Sequence, residues 1–190
     1  MNIIIKPFGS DLCYCRPDTT WERENRDFYS PECVNEVLWA PVVFARISKA
    51  GKCIGAKFAT RYYDAVGCGI LMYGSKDIAF GSCIDHTSIL PMPMYNPAVL
   101  DDEKELWVNI AGIGSCEPTV LYSKTVIPAG SRGMLEEAIC KASQLTSLRI
   151  GDYVAVELAP ITLLADRSAG EVTAKGTFCG NEIFGFKIIF

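Results

Sequence analysis

Cys83 and His86 stand three residues apart, and a thiol beside an imidazole is the pairing that cysteine nucleophiles use. His86 is the chain's only histidine, set among nine cysteines: Cys13, Cys15, Cys33, Cys53, Cys68, Cys83, Cys116, Cys140 and Cys179. With so many thiols one falls near the sole imidazole by chance, so spacing alone assigns nothing. The run Asp85-His86-Thr87-Ser88 holds the letters of a serine triad, but triad members come from separate elements that converge in space. There is no Cys-x-x-Cys pair, and one histidine is a poor basis for a zinc site. Cys13 and Cys15, the closest pair, allow a redox or soft-metal role. The odd, scattered set reads instead as reduced, mostly buried small hydrophobes of a cytosolic protein. Gly112-Ile113-Gly114 has no phosphate-loop context and reads as a turn.

The elements that must position these groups are mostly strands. At 190 residues, one domain spanning 1–190 is the expectation. A net charge of −4 with no Lys/Arg cluster argues against a nucleic-acid partner. No stretch approaches the ~20 apolar residues of a membrane helix, and the apolar run near the start is too short for a signal core. Val37 to Ile47 is rich in β-branched and aromatic residues; Gly67 to Tyr73, Leu106 to Ile110, Thr119 to Val126 and Tyr153 to Leu158 read as further strands. Glu171 to Phe178 and Ile183 to Ile189 read as a hairpin turning on Gly180-Asn181. Leu135, Ala138, Ile139, Ala142 and Leu145 repeat at helical spacing and predict a helix over Met134–Leu145. Gly51-Lys52 reads as a turn, Lys57 to Asp64 as a short helix, and Pro91 to Glu105 as a loop ending in an acidic turn. Trp21 to Asp27 reads as a solvated loop, with a partner surface as the sharper alternative. Met92 and Met94 lie among prolines, in a covered loop or an adaptable binding surface. The fold class is α+β and β-rich.

From Arg16 to Gly69 the chain resembles the fumarylacetoacetate hydrolase family. The run RPDTTWERENRDFYSPECVNEVLW is similar to its entry loop and the lead into its metal-binding strand. The run RISKAGKCIGAKFATRYYDAVGCGI follows in register, with the family's glycine-basic turn, short helix and next strand. KASQLTSLRIGDYVAVEL and IFGFKI resemble later segments. The resemblance implies a mixed β-sandwich roll with a few short helices, usually a homodimer. Such proteins hydrolyse or isomerise diketo acids and acylpyruvates with Mg²⁺, Mn²⁺ or Ca²⁺.

Such an ion needs several oxygen ligands, mainly carboxylates. Carried over by resemblance, the family's Glu-x-Glu falls on Ala40-Pro41-Val42 and its third acid on Leu71; none of these binds a hard cation. The catalytic lysine maps near Ser82, and the family's arginine near Lys76. The carboxylate-binding Gly-Thr-Pro tract falls on Glu157-Leu158-Ala159, where Glu157 would repel an anion. The entry loop Arg16-Pro17-Asp18-Thr19 is kept. Glu36 has the strand parity of positions 40 and 42 but lies ~13 Å from position 40, too far to share an ion; Asp64 and Asp77 are the other spare acids. The expectation is a homodimeric binding or structural module without metal, catalytic residues or cofactor, with an apolar small-molecule pocket near Ala40, Val42 and Leu71. The alternative is a divergent hydrolase or isomerase of diketo acids with a relocated divalent-metal site.

Overall fold

The computed structural model describes residues 1–112 and 120–190, with Val120 described by its backbone alone. Cys116, the Gly112-Ile113-Gly114 turn and the start of the strand read from Thr119 fall on or into the undescribed stretch. Among the described residues thirteen strands run in chain order: β1 Ile3–Lys6, β2 Tyr14–Arg16, β3 Trp21–Glu22, β4 Phe28–Tyr29, β5 Glu36–Ile47, β6 Tyr63–Tyr73, β7 Ser88–Ile89, β8 Lys104–Gly112, β9 Val120–Ile127, β10 Tyr153–Glu157, β11 Thr162–Asp166, β12 Glu171–Phe178 and β13 Asn181–Ile189. Two α-helices accompany them, α1 Ile78–Gly81 and α2 Arg132–Leu145. The class is β-rich α+β.

The strands form two sheets. The first has the order β2-β1-β10-β5-β6-β7-β3, with β11 also paired to β5; the second has the order β4-β13-β12-β8-β9. β5 and β6 are near-continuous apolar runs because both of their faces are covered. One face of the first sheet, carrying Ile4, Val43, Ala45, Met72, Val154 and Val156, shares an apolar cluster with α2 and the inner face of the second sheet. α2 contributes Leu135, Ala138, Ile139 and Ala142, the stripe its periodicity demands. The opposite face of the first sheet holds a separate cluster.

Several local expectations need correction. The stretch read as a helix over Lys57–Asp64 is a 3₁₀ turn over Ala56–Arg61, and β6 has begun by Tyr63, whose ring is buried as its backbone pairs with Ile47. The acidic turn is shorter than expected because Lys104 and Glu105 pair with β9. In the last hairpin Phe178 pairs with Asn181, so the two-residue turn is Cys179-Gly180. Both turn residues have positive φ (51° and 78°), as a turn matching the twist of a hairpin requires. Of the eight described cysteines only Cys68 is buried; Cys13 and Cys140 are half-buried and Cys15, Cys33, Cys53, Cys83 and Cys179 are exposed. Cys15 lies on the outermost strand and the other four exposed thiols lie outside strands, where no second layer covers them. Trp21 and Glu22 are not a solvated loop either: they pair with Ser88 and Ile89, and Glu22 is buried.

Candidate functional site

Period-2 parity and register define one face of the first sheet. Ala40 lies opposite Leu71 and Val42 opposite Gly69 across β5 and β6. On the other side of β5, Glu157 pairs with Val42 and Ala155 with Phe44. Through β1, Tyr14 and Arg16 of β2 reach the same face, since Ile5 pairs with Tyr14 and Ile3 with Arg16. The face therefore assembles Ile3, Ile5, Leu38, Ala40, Val42, Phe44, Leu71, Tyr73, Tyr153 and Ala155, closed over by Tyr14, Trp21, Leu90, Met94 and Ile161.

Ala40, Val42 and Leu71 are completely buried there. Space beside them is taken: a Cβ added at Gly69 would sit 2.1 Å from the Ile89 carbonyl oxygen, so only glycine admits that crossing segment. The Trp21 indole N–H donates to the Leu90 carbonyl at 3.1 Å and pins the cover in place. Four clefts among the described residues are lined by other side chains than Ala40, Val42 and Leu71.

Polar groups on this face form a chain. Tyr73 donates its hydroxyl proton to Glu157 Oε1, so the Tyr14 hydroxyl, 2.9 Å away, donates to Tyr73. Glu157 Oε2 accepts the Phe8 N–H at 3.0 Å. Burial pushes both phenols above their ordinary range, and the nearby Arg16 guanidinium opposes that rise. Arg16, 2 % exposed, lies 4.3 Å over the Tyr73 ring. Its partners are carbonyls and hydroxyls: Met72 O at 2.9 Å, Ser88 Oγ at 3.1 Å, and Thr87 O and Oγ1 at 3.3 Å. Its Nε is buried without a partner among the described residues. Ser88 also shares a 2.9 Å hydrogen bond with the Thr20 hydroxyl. Seryl and threonyl hydroxyls that spell part of a triad thus serve a buried cation.

The candidate residues divide accordingly. Arg16, Ala40, Val42, Leu71 and Glu157 meet on one face. Asp18 is exposed, 3.8 Å from the terminal amine. Lys76 lines an open cleft with Cys33, Asn35, Glu36 and Phe80. Ser82 is buried and donates to the Ile78 carbonyl at 2.5 Å. Leu158 packs on the other apolar cluster, its N–H bonded to the Pro41 carbonyl at 2.8 Å. Tyr14 and Tyr73 escaped sequence reasoning, although the strand parity Tyr73 shares with Leu71 was a signal able to find it.

The donor set of this face does not fit a hard divalent cation. Its facing positions at 40, 42 and 71 are hydrocarbon, and the buried acid beside them, Glu157, already accepts from a phenol and an amide. Among the described residues no group of three or more His, Cys, Asp or Glu side chains could hold a metal ion.

No protein-family model matches the chain, and none of the curated proteins does. Solved structures do. A 2-hydroxyhepta-2,4-diene-1,7-dioate isomerase from Mycobacterium marinum is similar with a TM-score of 0.73 at 15% identity, over 99% of this chain and 74% of the other. A protein from Yersinia pestis CO92, assigned provisionally to the fumarylacetoacetate hydrolase family, gives 0.72 at 14% identity over 99% and 92%. A fumarylpyruvate hydrolase from Pseudomonas aeruginosa, solved with Mn²⁺ and pyruvate, gives 0.68 at 13% identity over 100% and 96%. The fold is that of fumarylacetoacetate-hydrolase-like proteins, with hydrolases and isomerases among its structural neighbours. No described helix is long and apolar enough to cross a membrane.

Proposed function

We propose that this chain is a fumarylacetoacetate-hydrolase-like protein that has lost metal-dependent keto-acid chemistry and serves as a binding or structural module. The observation that carries this reading is the packing of Ala40, Val42 and Leu71 into one dry cluster where the resemblance implies three carboxylates. A buried carboxylate there would need a cation or several donors, and hydrocarbon needs neither. A relocated metal site has no support in the described residues, because their acids do not converge. Arg16, kept from the entry loop, is engaged by strand β7 and the residue before it and by the Tyr73 ring, which supports a folding role for that loop.

The proposal extends to a single cytoplasmic module that pairs as a homodimer. The outer face of the second sheet, where Trp107, Tyr122 and Val126 are exposed, is the surface such pairing would cover. A monomer mass in sedimentation would remove that part. The chemistry is tested by incubating the protein with acylpyruvate and oxaloacetate in Mg²⁺ or Mn²⁺, with and without chelator. The expected result is no turnover above background; turnover abolished by chelator would overturn the reading.

A further inference from the structure

The mechanism-free face just described leaves a second cluster unused. Glu22 at the end of β3 is buried, and both of its oxygens are engaged: Oε1 accepts the Glu24 N–H at 2.6 Å and Oε2 lies 2.9 Å from His86 Nδ1. A carboxylate oxygen accepts, so Nδ1 is the donor in this contact and Nε2 is the nitrogen left for other chemistry. The backbone holds the ring in place. His86 has φ 59°, and its N–H donates to the Thr19 carbonyl at 3.2 Å. The imidazole is partly open to solvent, with 44% of its side chain exposed, and lies between two clefts. The smaller, about 210 Å³, carries Arg23, Glu24 and Arg26; the larger, about 420 Å³, carries Cys83 and Cys33 against Phe28, Phe80 and Ile84, with Asp27 and Asp85 also on its wall. An imidazole fixed at Nδ1 by a buried carboxylate, sharing a cleft with an exposed thiol, has the parts of a cysteine nucleophile with its base.

We propose that Cys83 and His86 form a second reactive site, with Glu22 as the positioning residue, that accepts a small neutral acyl ester or thioester. The apolar walls suit an acyl chain, and Asp27 and Asp85 disfavour an anionic one. At rest the Cys83 thiol donates to the Ala79 carbonyl at 3.5 Å, so attack begins with rotation about Cα–Cβ into the cleft. The thiol proton then passes to His86 Nε2 as Sγ bonds to the carbonyl carbon. The tetrahedral adduct expels the alkoxide or thiolate, which takes the proton from the imidazolium and leaves an acyl-thioester. A water, losing its proton to Nε2, releases the carboxylic acid and restores the thiol. This site is separate from the face lined by Ala40, Val42 and Leu71, and its test is independent of the metal question.

The full-length protein supplies its own standards, because Cys15, Cys53 and Cys179 are also exposed and line neither cleft beside His86. Residue-resolved alkylation by iodoacetamide, followed by peptide mass spectrometry, compares Cys83 with these three thiols in one reaction. Cys83 is expected to react about 10-fold faster than the three standards near neutral pH. His86→Asn, which tolerates the positive φ, brings Cys83 down to the level of the standards, and Glu22→Gln, which weakens the hold on Nδ1, lowers the Cys83 rate part of the way. With 4-nitrophenyl acetate the wild type gives a burst of one nitrophenolate per chain and an acetyl group on Cys83. A Cys83 rate equal to its comparators, an unchanged rate in His86→Asn, or acetylation mapped elsewhere would overturn the proposal.

Discussion

Ala40 and Leu71 face each other directly across the antiparallel pair of β5 and β6, and neither has any exposed surface. Opposite residues of such a pair have Cβ atoms about 5 Å apart, close enough for paired acids to share an ion if acids stood there. Here the contact is between a methyl and an isobutyl group, and the β10 neighbour of Val42 is an acid occupied by a phenol. The same geometry that would gather ligands therefore gathers a core.

A core predicts cavity energetics. Leu71→Ala removes three carbons from a site whose neighbours are held by strand pairing, so it should cost about 2–5 kcal/mol in urea unfolding. A change below 0.5 kcal/mol, the range of an open surface position, would mean that Leu71 lines an accessible pocket instead.

Arg16 predicts a geometric rather than a charge requirement. Its two terminal nitrogens reach Met72 O on one side and Thr87 and Ser88 on the other. Arg16→Lys keeps the charge but replaces a planar fork with one ammonium centre. Leaving part of that set unsatisfied should cost about 1–3 kcal/mol, read from the same unfolding curves. Equal stability of the lysine variant would show that charge alone matters.

How much of this was legible in the chain follows from distance along it. β5 and β6 were readable because long apolar runs with β-branched residues announce buried strands, and α2 because its stripe repeats at the helical period. The two- and three-residue strands β2, β3, β4 and β7 were not, since nothing so short carries periodicity; long-range pairing alone makes them strands. Parity put positions 40 and 42 on one face, and the resemblance added 71. The Tyr14–Tyr73–Glu157 chain joins residues 59 and 84 positions apart, and only register brings them together. Glu22 read as solvated within a charged run, although β7 pairs with its strand and buries it.

Alkaline pH should weaken the fold. Burial raises Cys68 above the ordinary thiol value of 9.0, and Tyr14 and Tyr73 above the ordinary phenol value of 10.0. In the folded chain these groups stay neutral while the unfolded chain ionises. Their contribution is complete below pH 9 and is lost as pH rises, first through Cys68 and then, beyond pH 10, through the two phenols. Each group adds a slope of up to ~1.4 kcal/mol per pH unit. Urea midpoints that stay flat between about pH 8 and 11 would contradict this; Tyr73→Phe should make the upper part of the decline shallower.

The last hairpin offers a stabilising change. Cys179 adopts φ 51° before Gly180, a conformation that asparagine accepts at lower cost. Cys179→Asn should raise stability by about 0.5 kcal/mol, visible as a higher urea midpoint with an unchanged slope. A lower midpoint would mean that the thiol contributes contacts the turn needs.

The most direct measurement is the melting temperature of the unmodified protein titrated with Mg²⁺, Mn²⁺ and Ca²⁺. Any ion that binds the folded chain and not the unfolded one must raise it, and by several degrees at a hundredfold excess over its dissociation constant. A hydrocarbon-filled face predicts no ion-dependent shift for any of the three. A saturable rise with one of them, reversed by chelator and lost in Glu157→Gln, would show that this face still holds a cation.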